Sequence, residues 1–337
     1  MPDYMRIDMS ETEHYIKPAL VELLDIEFPM IVAPMFLVSN QAMVLAALEA
    51  GVTAAIPALN YRTVGELRTA IQHIKKVSDK PFGINLIVNK SNILFSEQLT
   101  VCCEEKVDFI ITSLGSPEEV IQCAKKKGIL VFCDVTNLEY AQKVEALGAD
   151  AAIAVNQEAG GHAGTMSYRE LVPVLKRNCN IPIISAGGVG NGEEAANMLQ
   201  LGADGLSVGS IFIATQESAV SLEYKQACVD YGEKDIVMTT KLSGTPCTVI
   251  NTPYVQKIGT EQNFVERMLS KNKGLKKWMK LLSYIKGTKM IKKAAFSSTY
   301  KTVWCAGPSI EHVDSVLPLK ERVQKIRLEC ERFLSKR

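Results

Sequence analysis

The sequence predicts a single α/β domain of the TIM (β/α)8 barrel type with a C-terminal helical, lysine-rich cap, and three observations carry the barrel. From Pro29 to Phe212 one unit recurs: a short apolar, β-branched run, a Gly/Pro/Asn/Asp punctuation, then an amphipathic stretch closing near glycine. That alternation implies parallel strands joined by helical crossovers. The strand-like runs number eight, and no GxGxxG follows the first of them, as an open dinucleotide-binding sheet would require. A chain of 337 residues with 47% apolar content suits one barrel plus an appendage.

Taken in order, the strands are predicted over residues 30–35, 53–56, 82–87, 107–113, 129–135, 151–156, 181–186 and 205–210. Helices fill the gaps at 41–50, 65–77, 96–104, 117–127, 138–147, 168–176 and 193–201, each with apolar positions three or four apart. Three of them run into Gly51, Gly148 and Gly202, the residue type a left-handed C-terminal cap needs. The division is then an N-terminal arm over 1–25, the barrel over 26–255 and the helical cap over 256–337.

A TIM barrel carries its chemistry in the loops after the strands. Here those loops hold Pro34-Met35, Asn60, Asn85, Ser113-Leu114-Gly115, Asp134-Val135-Thr136, residues 157–164, Gly187-Gly188 and Gly209-Ser210. Glycine bares backbone N–H groups, and a helix start aims them, so the glycine loops after strands seven and eight form an anion cradle where barrels place phosphate. Any one of these glycines alone would also serve a tight turn. Loop six, Glu158-Ala159-Gly160-Gly161-His162-Ala163-Gly164, holds an imidazole among glycines, able to approach a planar ligand and exchange a proton near neutral pH. The plainer role for His162 is a loop hydrogen-bonder. The other three histidines fall in the N-terminal arm (His14), on the second helix (His73) and in the tail (His312).

No second histidine or carboxylate stands at metal-ligand spacing from His162, and no GxSxG elbow occurs. A lone base beside a phosphate cradle therefore points to a bound redox cofactor. Nine cysteines without a CxxC pair fit reduced thiols. Lys+Arg of 38 against Asp+Glu of 37 gives no field that would select nucleic acid. Met1-Pro2-Asp3-Tyr4 lacks the basic start of a secretory signal, and no run approaches the roughly 18 apolar residues of a membrane span, so a cytoplasmic location is expected.

Ala33-Pro34-Met35, Phe82-Gly83-Ile84-Asn85-Leu86, Asn156-Gln157-Glu158-Ala159-Gly160-Gly161-His162, Ala186-Gly187-Gly188-Val189 and the run from Leu201 through Gly209-Ser210-Ile211-Phe212 to Ser218 resemble the nitronate monooxygenase (2-nitropropane dioxygenase-like) family. The resemblance spans roughly residues 25–255, and EAGGH is its most specific element. It implies FMN. Pro34, Met35 and Asn85 would then lie by the isoalloxazine, Ala159 and Gly160 along its edge, and Gly187, Gly188, Gly209 and Ser210 at its phosphate. His162 would be the acid/base residue. Where the family often shows Arg-Pro-Ala-Arg, this chain has Thr245-Pro246-Cys247-Thr248, and the family's Ala-Gly-Gln reads Ala306-Gly307-Pro308. The same pattern occurs in flavin-dependent enoyl-acyl-carrier-protein reductases.

Three functions follow: oxidation of a small carbon acid such as an alkyl nitronate with dioxygen, NAD(P)H-dependent reduction of an enoyl thioester, or FMN binding without catalysis. Residues 268–295 carry nine lysines, from Lys271 to Lys293, among apolar residues such as Trp278 and Leu282. These suit a solvated helical cap, contact with an anionic membrane face, or docking of an acidic carrier protein, which would favour the reductase.

Overall fold

The computed structural model describes residues 18–89, 92–241, 246–261 and 303–336. Eight parallel strands close on themselves: β1 Met30–Val32, β2 Thr53–Pro57, β3 Gly83–Ile87, β4 Phe109–Ser113, β5 Leu130–Val135, β6 Ala151–Val155, β7 Ile183–Ala186 and β8 Gly205–Val208. Closure is the pairing of β8 with β1, Met30 opposite Leu206 and Val32 opposite Val208. All eight predicted strands are present, seven of them trimmed at an end and β2 one residue longer than predicted. The first stops at Val32 because the chain turns there, the Met35 N–H bonding back to Ser39 Oγ at 2.8 Å. The eighth stops at Val208, where Gly209 bends into a short 3-10 turn over Ser210–Phe212.

The crossover helices are α2 Gln41–Glu49, α3 Val64–Val77, α4 Phe95–Glu104, α5 Glu118–Lys125, α6 Leu138–Leu147, α7 Tyr168–Asn178 and α8 Gly192–Gln200, following α1 Ala19–Leu24. Asn40, Asn137 and Asn191 start three of them, each side chain accepting an N–H three residues on at 2.9 Å. Gly51, Gly148 and Gly202 take φ of +80°, +90° and +99° at the predicted exits.

Beyond β8 come α9 Leu222–Asp230, an antiparallel hairpin of β9 Ile236–Thr239 and β10 Cys247–Ile250, α10 Pro253–Ile258 and α11 Leu319–Ser335. The sequence reading assigned no hairpin here. Helix α11 packs between α8 and α2, the position of the barrel's eighth helix. Its Leu319, Val323, Ile326 and Cys330 are buried. Gly192 makes the approach possible, since a Cβ there would lie 2.2 Å from Glu329 Cβ. The lysine-rich stretch 268–295 lies outside the described residues, as do His14 and residues 243–245.

Inward residues alternate along the strands, and on β3, β4 and β5 they grade from apolar to polar toward the C-terminal end. A Cβ at Gly83 would lie 2.2 Å from the Phe109 ring, so glycine leaves room for Phe109, which stacks on Phe132 at 5.0 Å. Leu20 and Leu24 of α1 join this inner cluster. Two residues further along their strands the same faces present Asn85, Ile111 and Asp134, and then Ser113. A greasy plug thus supports a polar floor. Among the described residues no helix is long and apolar enough to cross a membrane.

Candidate functional site

Above that floor lies a cavity of about 860 Å³, and all ten residues singled out from the sequence line it: Pro34, Met35, Asn85, Ala159, Gly160, His162, Gly187, Gly188, Gly209 and Ser210. These ten come from five strands or the loops that follow them, β1, β3, β6, β7 and β8, and so converge on one space. Asn60 is placed differently. It pins the first loop, accepting the Leu37 N–H and donating to the Ser39 carbonyl, both at 2.8 Å.

The glycine loops make a cradle. Gly187 and Gly188 take φ of +109° and +86°, and a Cβ on Gly187 would lie 2.4 Å from Ala159 N and from Asn156 Oδ1. Among the described residues, the N–H groups of Gly188, Val189, Gly209 and Ser210 donate to no protein acceptor. Further along, the donors are taken: Gly190 N–H bonds Glu194 Oε2 at 2.6 Å and Gly192 N–H bonds Glu329 Oε2 at 3.0 Å. The free donors thus suffice for one phosphate, while the start of α8 is closed by carboxylates. Ser210 Oγ accepts the Gly307 N–H at 2.8 Å and keeps its own proton to give.

Loop six is held from below and from the side. Asn156, fully buried, donates through Nδ2 to the Gly187 carbonyl at 3.0 Å and accepts the Glu158 N–H at 2.9 Å, tying the histidine loop to the cradle. Thr248 of β10 donates its hydroxyl to the Ala159 carbonyl at 2.9 Å and its N–H to the Gly161 carbonyl at 2.8 Å. The sequence marked Thr248 only as a departure from Arg-Pro-Ala-Arg. A threonine provides what the arginine pattern would not, a short hydroxyl that reaches the loop's backbone. Gly307, which this chain keeps from the family's Ala-Gly-Gln beside the departure at Pro308, fits because a Cβ there would lie 2.8 Å from the Glu158 carbonyl and from Gly160 N. The imidazole of His162 opens to the cavity, yet the protein packed around it disfavours its charged form and lowers its pKa. At neutral pH it stands ready to accept a proton.

The floor holds a group that sequence reasoning placed in a loop without giving it a role. Asn85 Nδ2 donates to Ser113 Oγ at 2.8 Å, and Ser113 Oγ donates to Asp134 Oδ2 at 2.5 Å. Desolvation pushes the Asp134 carboxyl up to about 6, against the smaller lowering effect of the Ser113 hydrogen bond. The inward alternation on β5 was the available signal; the partner on the neighbouring strand was not.

With the geometry in view, the chain can be set beside known proteins. A family model described as nitronate monooxygenase matches residues 17–329. The (3aS,4S,5R,7aS)-5-hydroxy-7a-methyl-1-oxo-octahydro-1H-indene-4-carboxyl-CoA dehydrogenase of Rhodococcus jostii is 31% identical over 243 residues, 72% of this chain and 68% of the relative. A nitronate monooxygenase of Paraburkholderia phytofirmans is 29% identical over 279 residues, 69% of this chain and 76% of the relative. FabK from Thermotoga maritima superposes with a TM-score of 0.82 at 28% identity, covering 95% of this chain and 98% of that one. The nitroalkane oxidase of Streptomyces ansochromogenes shares the fold, with a TM-score of 0.79 at 23% identity.

Proposed function

The chain belongs to the nitronate monooxygenase family and is a flavin-dependent oxidoreductase, and from that premise we propose that its flavin is FMN and that His162 moves the substrate's proton. One observation carries the reading: the unbonded amide cradle and the His162 imidazole face a single cavity. FMN is favoured over a dinucleotide because the donors that would reach a second phosphate, at Gly190 and Gly192, already bond Glu194 and Glu329. Pro34, Met35, Asn85, Ala159 and Gly160 would hold the ring, and Gly187, Gly188, Gly209 and Ser210 the phosphate.

Bound FMN supplies the two-electron acceptor. His162, neutral at pH 7, takes a proton from a carbon acid such as an alkyl nitronate or returns one to it. Asn85, held by Ser113, keeps its Oδ1 unbonded among the described residues and available to a ligand. Loop six, fastened by Asn156 and Thr248, fixes the imidazole's place. FMN binding without catalysis is set aside by the family assignment.

A second reading, reduction of an enoyl thioester, has its own support. The cavity extends past the flavin residues to Tyr140 and Lys143 on α6 and to the exposed Leu114, room for an acyl chain. The similarity to FabK and to a carboxyl-CoA dehydrogenase points the same way. Turnover of nitronate with oxygen, set against turnover of crotonyl thioester with NADH or NADPH, separates the two. On the thioester reading, the lysines of 268–295 would dock an acidic carrier. Reversing Lys276, Lys277 and Lys280 to Glu should then slow carrier-bound substrates alone, with an effect that fades as salt rises. Equal rates on free and carrier-bound substrates at every salt concentration would make the segment a plain cap.

A further inference from the structure

Asp134 is an acid with no part in the proposed reaction so far, yet it lines the same cavity as His162. Its place follows from strand alternation. Phe132 is the inner plug of β5, so Asp134, two residues on, also points inward and stands one layer nearer the ligand. One oxygen accepts from Ser113 at 2.5 Å, and the other makes no bond to a described group. The row Asn85 Nδ2, Ser113 Oγ, Asp134 Oδ2 runs in one direction across β3, β4 and β5, every donor giving toward the carboxylate.

The surroundings leave the charge of Asp134 uncompensated. Across β6 it faces Ile153, with Val155 beyond. From β4 the Ser113 hydroxyl donates to it, and its β5 neighbour Cys133 carries no charge, its thiol pushed up to about 12 by burial. The titratable groups sharing the cavity are Tyr140 and Lys143 on α6, Glu158 and His162 on loop six, Tyr224 on α9, and Cys247 and Cys305. None of them appreciably moves the Asp134 carboxyl, which is governed by desolvation and by Ser113. A carboxylate so placed responds strongly to any charge that appears beside it.

We propose that Asp134 is a second proton-holding residue of the flavin site, ionised while the bound flavin is oxidised and protonated once it is reduced. The inference rests on the flavin assignment above. Two electrons delivered to a flavin held in this cavity would add negative charge there, and that charge would disfavour the Asp134 carboxylate. Asp134 then takes one proton from water reaching the cavity and returns it when the flavin is reoxidised. Asp134 itself is neither oxidised nor reduced. Ser113 and Asn85 act through it: their hydrogen bonds favour the ionised form.

The sign of the pH dependence follows. In the protein by itself burial pushes the carboxyl up to about 6; a reduced, negatively charged flavin in the cavity would push it higher, because a like charge disfavours ionisation. Between those limits reduction takes up one more proton per electron pair than flavin alone requires, so the midpoint potential falls more steeply with pH there.

The test is the midpoint potential of the FMN holoenzyme from about pH 5 to about pH 9, in wild type and in Asp134→Asn, Ser113→Ala and His162→Ala. The expected result is a steep region above about pH 6 in wild type and in His162→Ala, absent in Asp134→Asn. In Ser113→Ala it should begin at higher pH, since one bond favouring the carboxylate is gone. Equal slopes in wild type and Asp134→Asn would overturn the inference, as would loss of the steep region in His162→Ala. Should Asp134→Asn not retain flavin, the start of the steep region in Ser113→Ala decides, and an unmoved start overturns it. Wild-type protein that binds no flavin would instead overturn the function proposed above.

Discussion

His162 stands among Gly160, Gly161 and Gly164, and Gly164 has no room for a side chain, its Cβ position lying 2.3 Å from the Val155 carbonyl. The loop is shaped to carry one imidazole and little else, and the ring contributes no core packing. His162→Ala should therefore leave the fold and bound flavin intact while slowing flavin reduction by about 10²–10⁴. His162→Asn should be similarly slow, because an amide accepts a hydrogen bond but no proton. Since burial lowers the His162 pKa, its base form persists below the usual histidine range, and wild-type flavin reduction should fall only as pH drops beneath about 6.5. Anaerobic stopped-flow traces beside the bound FMN fraction check this; normal rates in both variants would make His162 a loop hydrogen-bonder. The histidine was legible in the sequence because glycines flank it at a strand's end. The role of Asp134 was not, because it depends on Ser113, 21 residues away on another strand.

At the scale of elements, the cradle offers a test that separates binding from folding. Gly188→Asp would place a charge against the phosphate proposed to lie there and also forces a side chain into φ +86°, with its Cβ 3.2 Å from Met198 Cε. Gly209 has no positive φ, and its Cβ would meet Met35 Sδ at an ordinary 3.5 Å. Both aspartates should abolish flavin retention, while only Gly188→Asp should lower the apoprotein's melting temperature. Full retention in Gly209→Asp would move the phosphate elsewhere. The strands and crossover helices were legible because period and punctuation are local signals, and the ends were misjudged by one to three residues where a turn competes with pairing, as at Met35. The β9–β10 hairpin escaped notice because Ile236–Thr239 is four residues long, half exposed, and followed by no Asn-Gly turn. Thr248 belongs to that hairpin, so its hold on loop six went unseen as well.

At the scale of the molecule, the barrel is completed by residues far along the chain. Helix α11 fills the eighth position after an excursion through α9, the hairpin and α10, joined by Arg327 to Glu27 at 2.9 Å and by Lys320 to Glu49 at 2.6 Å. These surface pairs contribute little; the buried face of Leu319, Val323, Ile326 and Cys330 holds the helix. Ile326→Ala should cost about 2–5 kcal/mol by chemical denaturation without changing the flavin spectrum of the folded protein. A cost below about 0.5 kcal/mol would show that α11 is not part of the cooperative unit. The sequence, read as a repeat ending near residue 210, assigned 319–335 to a cap, since nothing local distinguishes a cap helix from the barrel's own eighth. The central claim, an FMN site in which a carbon acid reduces the flavin, is tested most directly by the absorbance spectrum of the purified protein before and after anaerobic addition of an alkyl nitronate. One FMN per chain is expected, bleached by the nitronate and restored by oxygen. A protein that holds no flavin even when supplied with FMN, or whose bound flavin the nitronate does not bleach, would contradict the account, and bleaching by NADH or NADPH alone would favour the enoyl-thioester reading.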